Sequence, residues 1–178
     1  METETKRTKK VLLVYTGGTI GMDKNPKTGA LEPLNFSHLL EKIPEYDQLP
    51  AKVDTVQFDP PLDSSDMSPE YWVRMVDVIA KHYEQYDGFV ILHGTDTMAY
   101  TASALSFLFE NLQKPVVLTG SQLPIGQLRT DGKENLMSSL ELASTYGADG
   151  RPKIPEVCIY FDCLLYTSPS PRDISGSR

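Results

Sequence analysis

Four short apolar runs punctuate the chain, and each gives way to polar residues. They are Lys10–Tyr15 (K-V-L-L-V-Y), Gly88–Leu92 (G-F-V-I-L), Lys114–Leu118 (K-P-V-V-L) and Val157–Phe161 (V-C-I-Y-F). Runs this short and this rich in β-branched residues suit strands buried on both faces. A further strand is expected at Lys52–Phe58, where the alternation of Val53, Thr55 or Val56 and Phe58 is weaker. Elsewhere the period is helical. Ser68-Pro69-Glu70 marks a helix start, with a capping serine, proline at the first position and an acid near the positive end. Trp72, Met75, Val76, Ile79 and Tyr83 then share one face, and the helix is expected to end near Tyr86. Other helices are expected from Asp96 to Glu110, from near Asp131 to just before Gly147, and, briefly, from Asn35 or Ser37 to Ile43. Residues 20–34 carry Gly21, Pro26, Gly29 and Pro33 and read as a long loop or loose hairpin, the kind of segment that serves as a lid. Asp59–Ser68 reads as loop, and residues 1–9 as a disordered tail.

Strand, loop and helix alternate, which predicts an α/β fold with a parallel sheet and right-handed crossovers. Ligands bind such sheets beyond the carboxyl ends of the strands. Three of those ends carry hydroxyl and glycine residues, at Thr16–Thr19, Thr95–Thr97 and Thr119–Ser121, and side by side they would converge on one pocket. Gly17 and Gly18 let the backbone turn sharply and come close to a ligand. The Thr19 hydroxyl beyond them can attack an electrophile once a base takes its proton. Thr95-Asp96 sets a hydroxyl beside a carboxylate at a helix start. That carboxylate can orient a base or hold an ammonium, and the local N–H groups can receive an anion or a developing oxyanion. Asp63-Ser64-Ser65-Asp66 suits a zwitterion, with donors for an α-carboxylate and acids for an α-ammonium. Taken singly, each of these loops also reads as an ordinary cap or turn.

With 178 residues the chain can hold one domain with a sizeable core. Its charge of −7 argues against nucleic acid and against an anionic membrane, and no apolar run reaches the length of a membrane span. Met1–Lys10 is polar and basic without the apolar centre of a secretory signal, so the cytoplasm is the expected location. Cys158 and Cys163 make no disulfide framework, and the histidines at 38, 82 and 93 show no metal-ligand spacing, so neither metal nor other cofactor is expected. The dinucleotide fingerprint and the phosphate-loop lysine are both missing, which disfavours a nucleotide-binding domain. The last stretch, C-L-L-Y-T-S-P-S-P-R-D-I-S-G-S-R, breaks the pattern abruptly. Its possible coding sequence resembles the end of a transposase-type sequencing adapter. Residues 163–178 are therefore expected to be translated adapter, and residues 10–162 the authentic domain, incomplete at its C-terminal end.

Leu13-Val-Tyr-Thr-Gly-Gly-Thr-Ile-Gly21 resembles the first signature of the asparaginase/glutaminase family, and Gly88-Phe-Val-Ile-Leu-His-Gly-Thr-Asp-Thr-Met98 its second. Asp63-Ser-Ser-Asp-Met67 and Thr119-Gly-Ser-Gln122 match as well, and the resemblance, strongest to type I cytoplasmic L-asparaginases, covers Lys10–Phe161. It implies a three-layer αβα sandwich of flavodoxin-like character, with a second, C-terminal α/β domain missing. It implies hydrolysis of L-asparagine to L-aspartate and ammonia, without cofactor, by a protein that is a homo-oligomer at full length. Thr19 resembles the nucleophile that forms the acyl-enzyme, and Thr95 and Asp96 the second threonine and its acidic partner. Asp96 also resembles the holder of the α-ammonium, and Ser64, flanked by Asp63 and Ser65, the binder of the α-carboxylate. Gly21–Leu31 resembles the mobile lid. Two departures stand out. The lid tyrosine of many relatives is replaced by Ala30 or Leu31, leaving Thr16, Tyr15 or a water to assist the nucleophile. The family's catalytic lysine lies beyond Phe161, Lys153 is not its match, and this polypeptide is expected to be weakly active or inactive. The alternatives are the asparaginase-like subunit of a tRNA-dependent amidotransferase and a non-catalytic amino-acid sensor.

Overall fold

A computed structural model describes residues 8–24, 28–29, 31–33, 43, 46 and 48–167. The helix expected up to Ile43, lid position 30, most of the N-terminal tail and residues 168–178 lie outside the described residues. The strands are β1 (Lys9–Gly17), β2 (Met22–Lys24), β3 (Leu31–Pro33), β4 (Ala51–Leu62), β5 (Gly88–Leu92), β6 (Val116–Thr119), β7 (Val157–Phe161) and β8 (Leu164–Thr167). The helices are α1 (Pro69–His82), α2 (Met98–Leu108) and α3 (Gly132–Ser144).

The main sheet has the order β4-β1-β5-β6-β7-β8. Every pairing in it is parallel except β7 with β8. β1 explains the architecture. Its residues Val11 to Tyr15 are all essentially inaccessible to water. Val11, Leu13 and Tyr15 pack with Leu136, Leu140 and Ala143 of α3. Leu12 and Val14 pack on the other face with Met75 and Ile79 of α1 and Ala102 and Leu105 of α2. A strand that must bury both faces requires helices on both, which gives the three layers. Each fully buried Leu or Val contributes roughly 1.5–3 kcal/mol, so this strand anchors whatever follows its carboxyl end.

The chain leaves β1 for β4 on one side and returns to β5 on the other. The strand order therefore reverses between β1 and β5, where α/β sheets open a crevice for ligands.

Several boundaries differ from those expected. β4 runs on through Asp59-Pro60-Pro61 to Leu62, a stretch that reads as loop. Among the described residues it is an edge strand paired only with β1, a position that tolerates prolines without N–H groups. Ser68 precedes α1 as expected, but its hydroxyl donates to the Glu70 carboxylate at 2.6 Å and does not cap the helix. α1 ends at His82, with turns continuing toward Tyr86, and α2 begins at Met98 because Thr95–Thr97 form a turn. The segment after β1 is a hairpin, with Met22 opposite Pro33 and Lys24 opposite Leu31. No element was expected after Phe161, yet Leu164–Thr167 folds back along β7, with all its residues exposed.

Candidate functional site

Thr19 opens a 3₁₀ turn, Thr19–Gly21, directly after β1. Gly17 and Gly18 enter that turn at φ 147° and 92°, values that side-chain-bearing residues rarely adopt. Gly18 lies on the turn that follows β5. A Cβ on Gly18 would come within 2.7 Å of the Gly94 backbone nitrogen, and a Cβ on Gly94 within 2.3 Å of Ser64 Oγ. Glycines thus allow three loops to stack in direct contact, namely the Thr19 turn, the Gly94–Thr97 turn and the Asp63–Asp66 turn.

Side chains lock this stack. Ser64, almost fully buried, donates from Oγ to Asp96 Oδ2 at 3.2 Å. The Thr97 hydroxyl donates to the Ser64 carbonyl at 2.7 Å. Asp63 Oδ1 accepts from the Ser65 N–H at 2.9 Å and from the Ser65 hydroxyl at 2.8 Å. These two bonds, the backbone one foremost, hold the Asp63 carboxyl below its ordinary pKa. Asp63, Ser65 and Asp96 are exposed, while Thr19 and Thr95 are half-buried. A threonine hydroxyl, a second threonine, carboxylates and a serine hydroxyl thus share one rim. Asp96 sits at the N-terminal end of α2, where the helix dipole favours negative charge.

Behind the rim is a buried relay that sequence reading missed. His93, 1 % exposed, bonds through Nδ1 to the Gly94 carbonyl at 2.7 Å and through Nε2 to Thr101 Oγ1 at 2.9 Å. Trp72 Nε1 donates to the same hydroxyl at 3.0 Å. A carbonyl can only accept, so Nδ1 carries the ring proton and Nε2 accepts from Thr101. Burial keeps the His93 pKa below its usual value, and the ring is neutral. The signal was available as a histidine inside an otherwise apolar strand end, but its side-chain partner Thr101 stands on α2 and is itself bonded by Trp72 of α1.

The hydroxyls at the strand ends divide into two groups. Thr16 Oγ1 donates to the Leu92 carbonyl at 2.8 Å, Thr119 Oγ1 to the Tyr160 carbonyl at 2.8 Å, and Ser121 Oγ to the Leu123 carbonyl at 2.6 Å. These three hydroxyls stitch neighbouring backbone together, while the turns that carry Thr19 and Thr95 meet through Gly18 and Gly94. Tyr15 lies beneath the turn, its hydroxyl 3.4 Å from the Gly18 carbonyl, and burial raises its pKa to about 12. It is a neutral donor at physiological pH and not a base. Thr95 also borders an open groove walled by Met98, Gln122, Ile159, Phe161 and Tyr166.

Comparison with known proteins identifies the family and the fold. Residues 10–172 match the family model for the asparaginase N-terminal domain. L-asparaginase 1 of Escherichia coli (strain K12) is 46 % identical over 159 residues, covering 89 % of this chain and 45 % of that protein. The 60 kDa lysophospholipase of Mus musculus is 43 % identical over 192 residues, covering 96 % of this chain and 33 % of that protein. The crystal structure of L-asparaginase I from Vibrio cholerae superposes with a TM-score of 0.77 at 48 % identity, over 88 % of this chain and 45 % of that one. The chain belongs to the asparaginase family and carries its N-terminal domain fold. It spans less than half the length of these relatives.

Proposed function

We propose that this chain is the nucleophile-bearing part of an L-asparaginase. Thr19 Oγ attacks the side-chain amide carbon of L-asparagine, ammonia leaves, and water hydrolyses the resulting acyl-threonine to L-aspartate. Thr95 and Asp96 form the second wall, with Asp96 taking the α-ammonium. Ser64 takes the α-carboxylate, with Asp63 and Ser65 beside it. One observation carries this reading. The Thr19 turn, the Thr95–Asp96 turn and Ser64 are stacked through Gly18 and Gly94, with the Ser64 hydroxyl already on Asp96. That juxtaposition supports reading Thr19 as a nucleophile next to a subsite for both charged ends of an amino acid. The family resemblance implies a catalytic lysine that Lys153 does not match, and the 178-residue chain is expected to be weakly active or inactive. The full-length protein would be a homo-oligomer, a reading supported by exposed Tyr100, Phe107 and Leu108 on α2.

The test is ammonia release from L-asparagine by the sequence continued past Asp162 to the length of its relatives, called the full-length protein below. Thr19→Ala should lower turnover by at least about 10³-fold while L-aspartate still binds. Unchanged turnover in Thr19→Ala would overturn the proposal. The 178-residue chain should fall at least about 10²-fold below the full-length protein, the usual contribution of a positioned acid–base group.

A further inference from the structure

One polar cluster, at the start of α3, reaches both the Thr95 turn and the turn that carries Thr19. Asp131 stands at the start of α3, where an aspartate normally caps its own helix, but here it makes no cap bond. Its carboxylate turns back over the loop that follows β6. It accepts from the Gln122 N–H at 2.9 and 3.1 Å and from the Leu123 N–H at 3.1 Å. Thr130 supplies the local bond instead, its hydroxyl accepting from the Gly132 N–H at 3.0 Å. Asn135, one turn further on and 1 % exposed, uses its whole amide. Nδ2 donates to the Gly120 carbonyl at 3.0 Å and to Asp131 Oδ2 at 3.4 Å, and Oδ1 accepts from the Asp162 N–H at 3.1 Å.

The clamp reaches the reactive side chains by two routes. Gln122 Nε2 donates to Thr95 Oγ1 at 3.4 Å. In the same loop, the Ile125 N–H donates to the Ile20 carbonyl at 3.3 Å, adjacent to Thr19. Gly132 closes the contact, since a Cβ there would lie 3.2 Å from both Ile20 Cγ1 and Ser121 Cβ. The start of α3 therefore touches the Thr19 turn, holds the loop that reaches Thr95, and grips the chain where it leaves β7.

We infer that Asp131 and Asn135 are positioning residues for the reaction. Through Gln122 they fix the Thr95 hydroxyl as an acceptor on one side, so that its own proton points elsewhere and can be donated to bound substrate. They do not touch the Ser64–Asp96 subsite, so they bear on the chemical step rather than on capture of the amino acid. A buried amide with three partners adds little net stability over an apolar side chain of the same shape, whereas a misplacement of about 1 Å in a reacting group can lower a rate by about 10². This inference rests on the asparaginase reading above.

The experiment measures kcat and KM for L-asparagine in the full-length protein, with Thr19→Ala as the marker of the parent reading. Asn135→Leu and Asp131→Asn should each lower kcat at least tenfold with KM held within about threefold. Gln122→Ala, an exposed change at the end of the relay, should lower kcat three- to tenfold with the unfolding temperature unchanged. Asn135→Asp, which keeps the acceptor for Asp162 but sets a second carboxylate beside Asp131, should not restore kcat. If Asn135→Leu fails to fold, Asp131→Asn and Gln122→Ala decide. Wild-type kcat per folded molecule in these variants, with Thr19→Ala inactive, overturns this inference alone. A wild-type protein that releases no ammonia, or a fully active Thr19→Ala, overturns the parent reading and this inference with it.

Discussion

The contact between Gly94 and Ser64 sets up a one-atom test. Gly94→Ala places a methyl group 2.3 Å from Ser64 Oγ and 2.6 Å from Ser64 Cβ. Ordinary contacts need more than 3.4 Å, so one partner must move by roughly 1 Å. The Gly94 backbone is hemmed in by Gly18, where even a Cβ would lie 2.7 Å from the Gly94 nitrogen. Ser64 must therefore give way, and its 3.2 Å bond to Asp96 passes beyond hydrogen-bonding range. A hydrogen bond to a charged group contributes about 1.5–3 kcal/mol, or roughly 10- to 150-fold in affinity. Asp96 is exposed, and solvent screening places the expected effect near the lower end. In the full-length protein, KM for L-asparagine should rise about tenfold, with kcat changed less. Gly150→Ala is the control. Its φ of +76° makes alanine strained, but nothing lies within 4 Å of the new methyl. It should lower stability by about 1–2 kcal/mol and leave KM alone. A KM for Gly94→Ala within twofold of wild type, with an unaltered melting curve, refutes the reasoning that Ser64 and Asp96 act as one subsite.

Other expectations follow from the buried relay and the surface. Thr101→Val leaves Trp72 Nε1 and His93 Nε2 without their shared partner and should destabilise the chain by about 1–3 kcal/mol per group, read by urea unfolding with circular dichroism; Thr101→Ser should recover most of it. The folded His93 pKa is depressed, so its contribution to stability is complete above the unfolded value of about 6.5. It declines as pH falls below that, by at most about 1.4 kcal/mol per unit, and His93→Gln should remove this slope between pH 7 and 5. Burial pushes the Cys158 thiol to about 12, whereas Cys163 is exposed, so a thiol reagent should label one cysteine in the native chain and both in urea. Tyr100 and Phe107 are 71 % and 55 % exposed. Replacing both with lysine should shift the 178-residue chain toward monomer in light scattering, and a wild-type chain that is already a clean monomer would contradict the apolar-interface reading.

The strands around the site were legible because their pattern is local. Val11–Tyr15 and Gly88–Leu92 are continuous apolar runs ended by glycine, and burial on both faces leaves little else they can be. Thr19, Thr95, Asp96 and Ser64 were legible as chemistry because each stands in a short stretch of unusual composition. Their common rim had to be inferred from the parallel-sheet rule. What stayed hidden depends on neighbours distant in sequence. Asp59-Pro-Pro reads as loop until an edge position excuses the prolines. Thr16 and Thr119 resemble Thr19 in the sequence, yet their hydroxyls meet carbonyls of adjacent strands. Asp131 reads only as the start of a helix, and the fold shows its carboxylate on the Gln122 and Leu123 N–H groups. Asn135 carries no local signal beyond its spacing of one helical turn from an aspartate.

The relay from Trp72 through Thr101 to His93 makes the chain's single tryptophan an internal reporter. Its indole N–H is two hydrogen bonds from the ring that holds the Gly94 carbonyl. A ligand that draws the Gly94–Thr97 turn inward should alter the polarity felt by that indole. Intrinsic fluorescence excited near the red edge of the band should therefore follow occupancy of the rim without an attached dye, and Thr101→Val should uncouple the emission from binding.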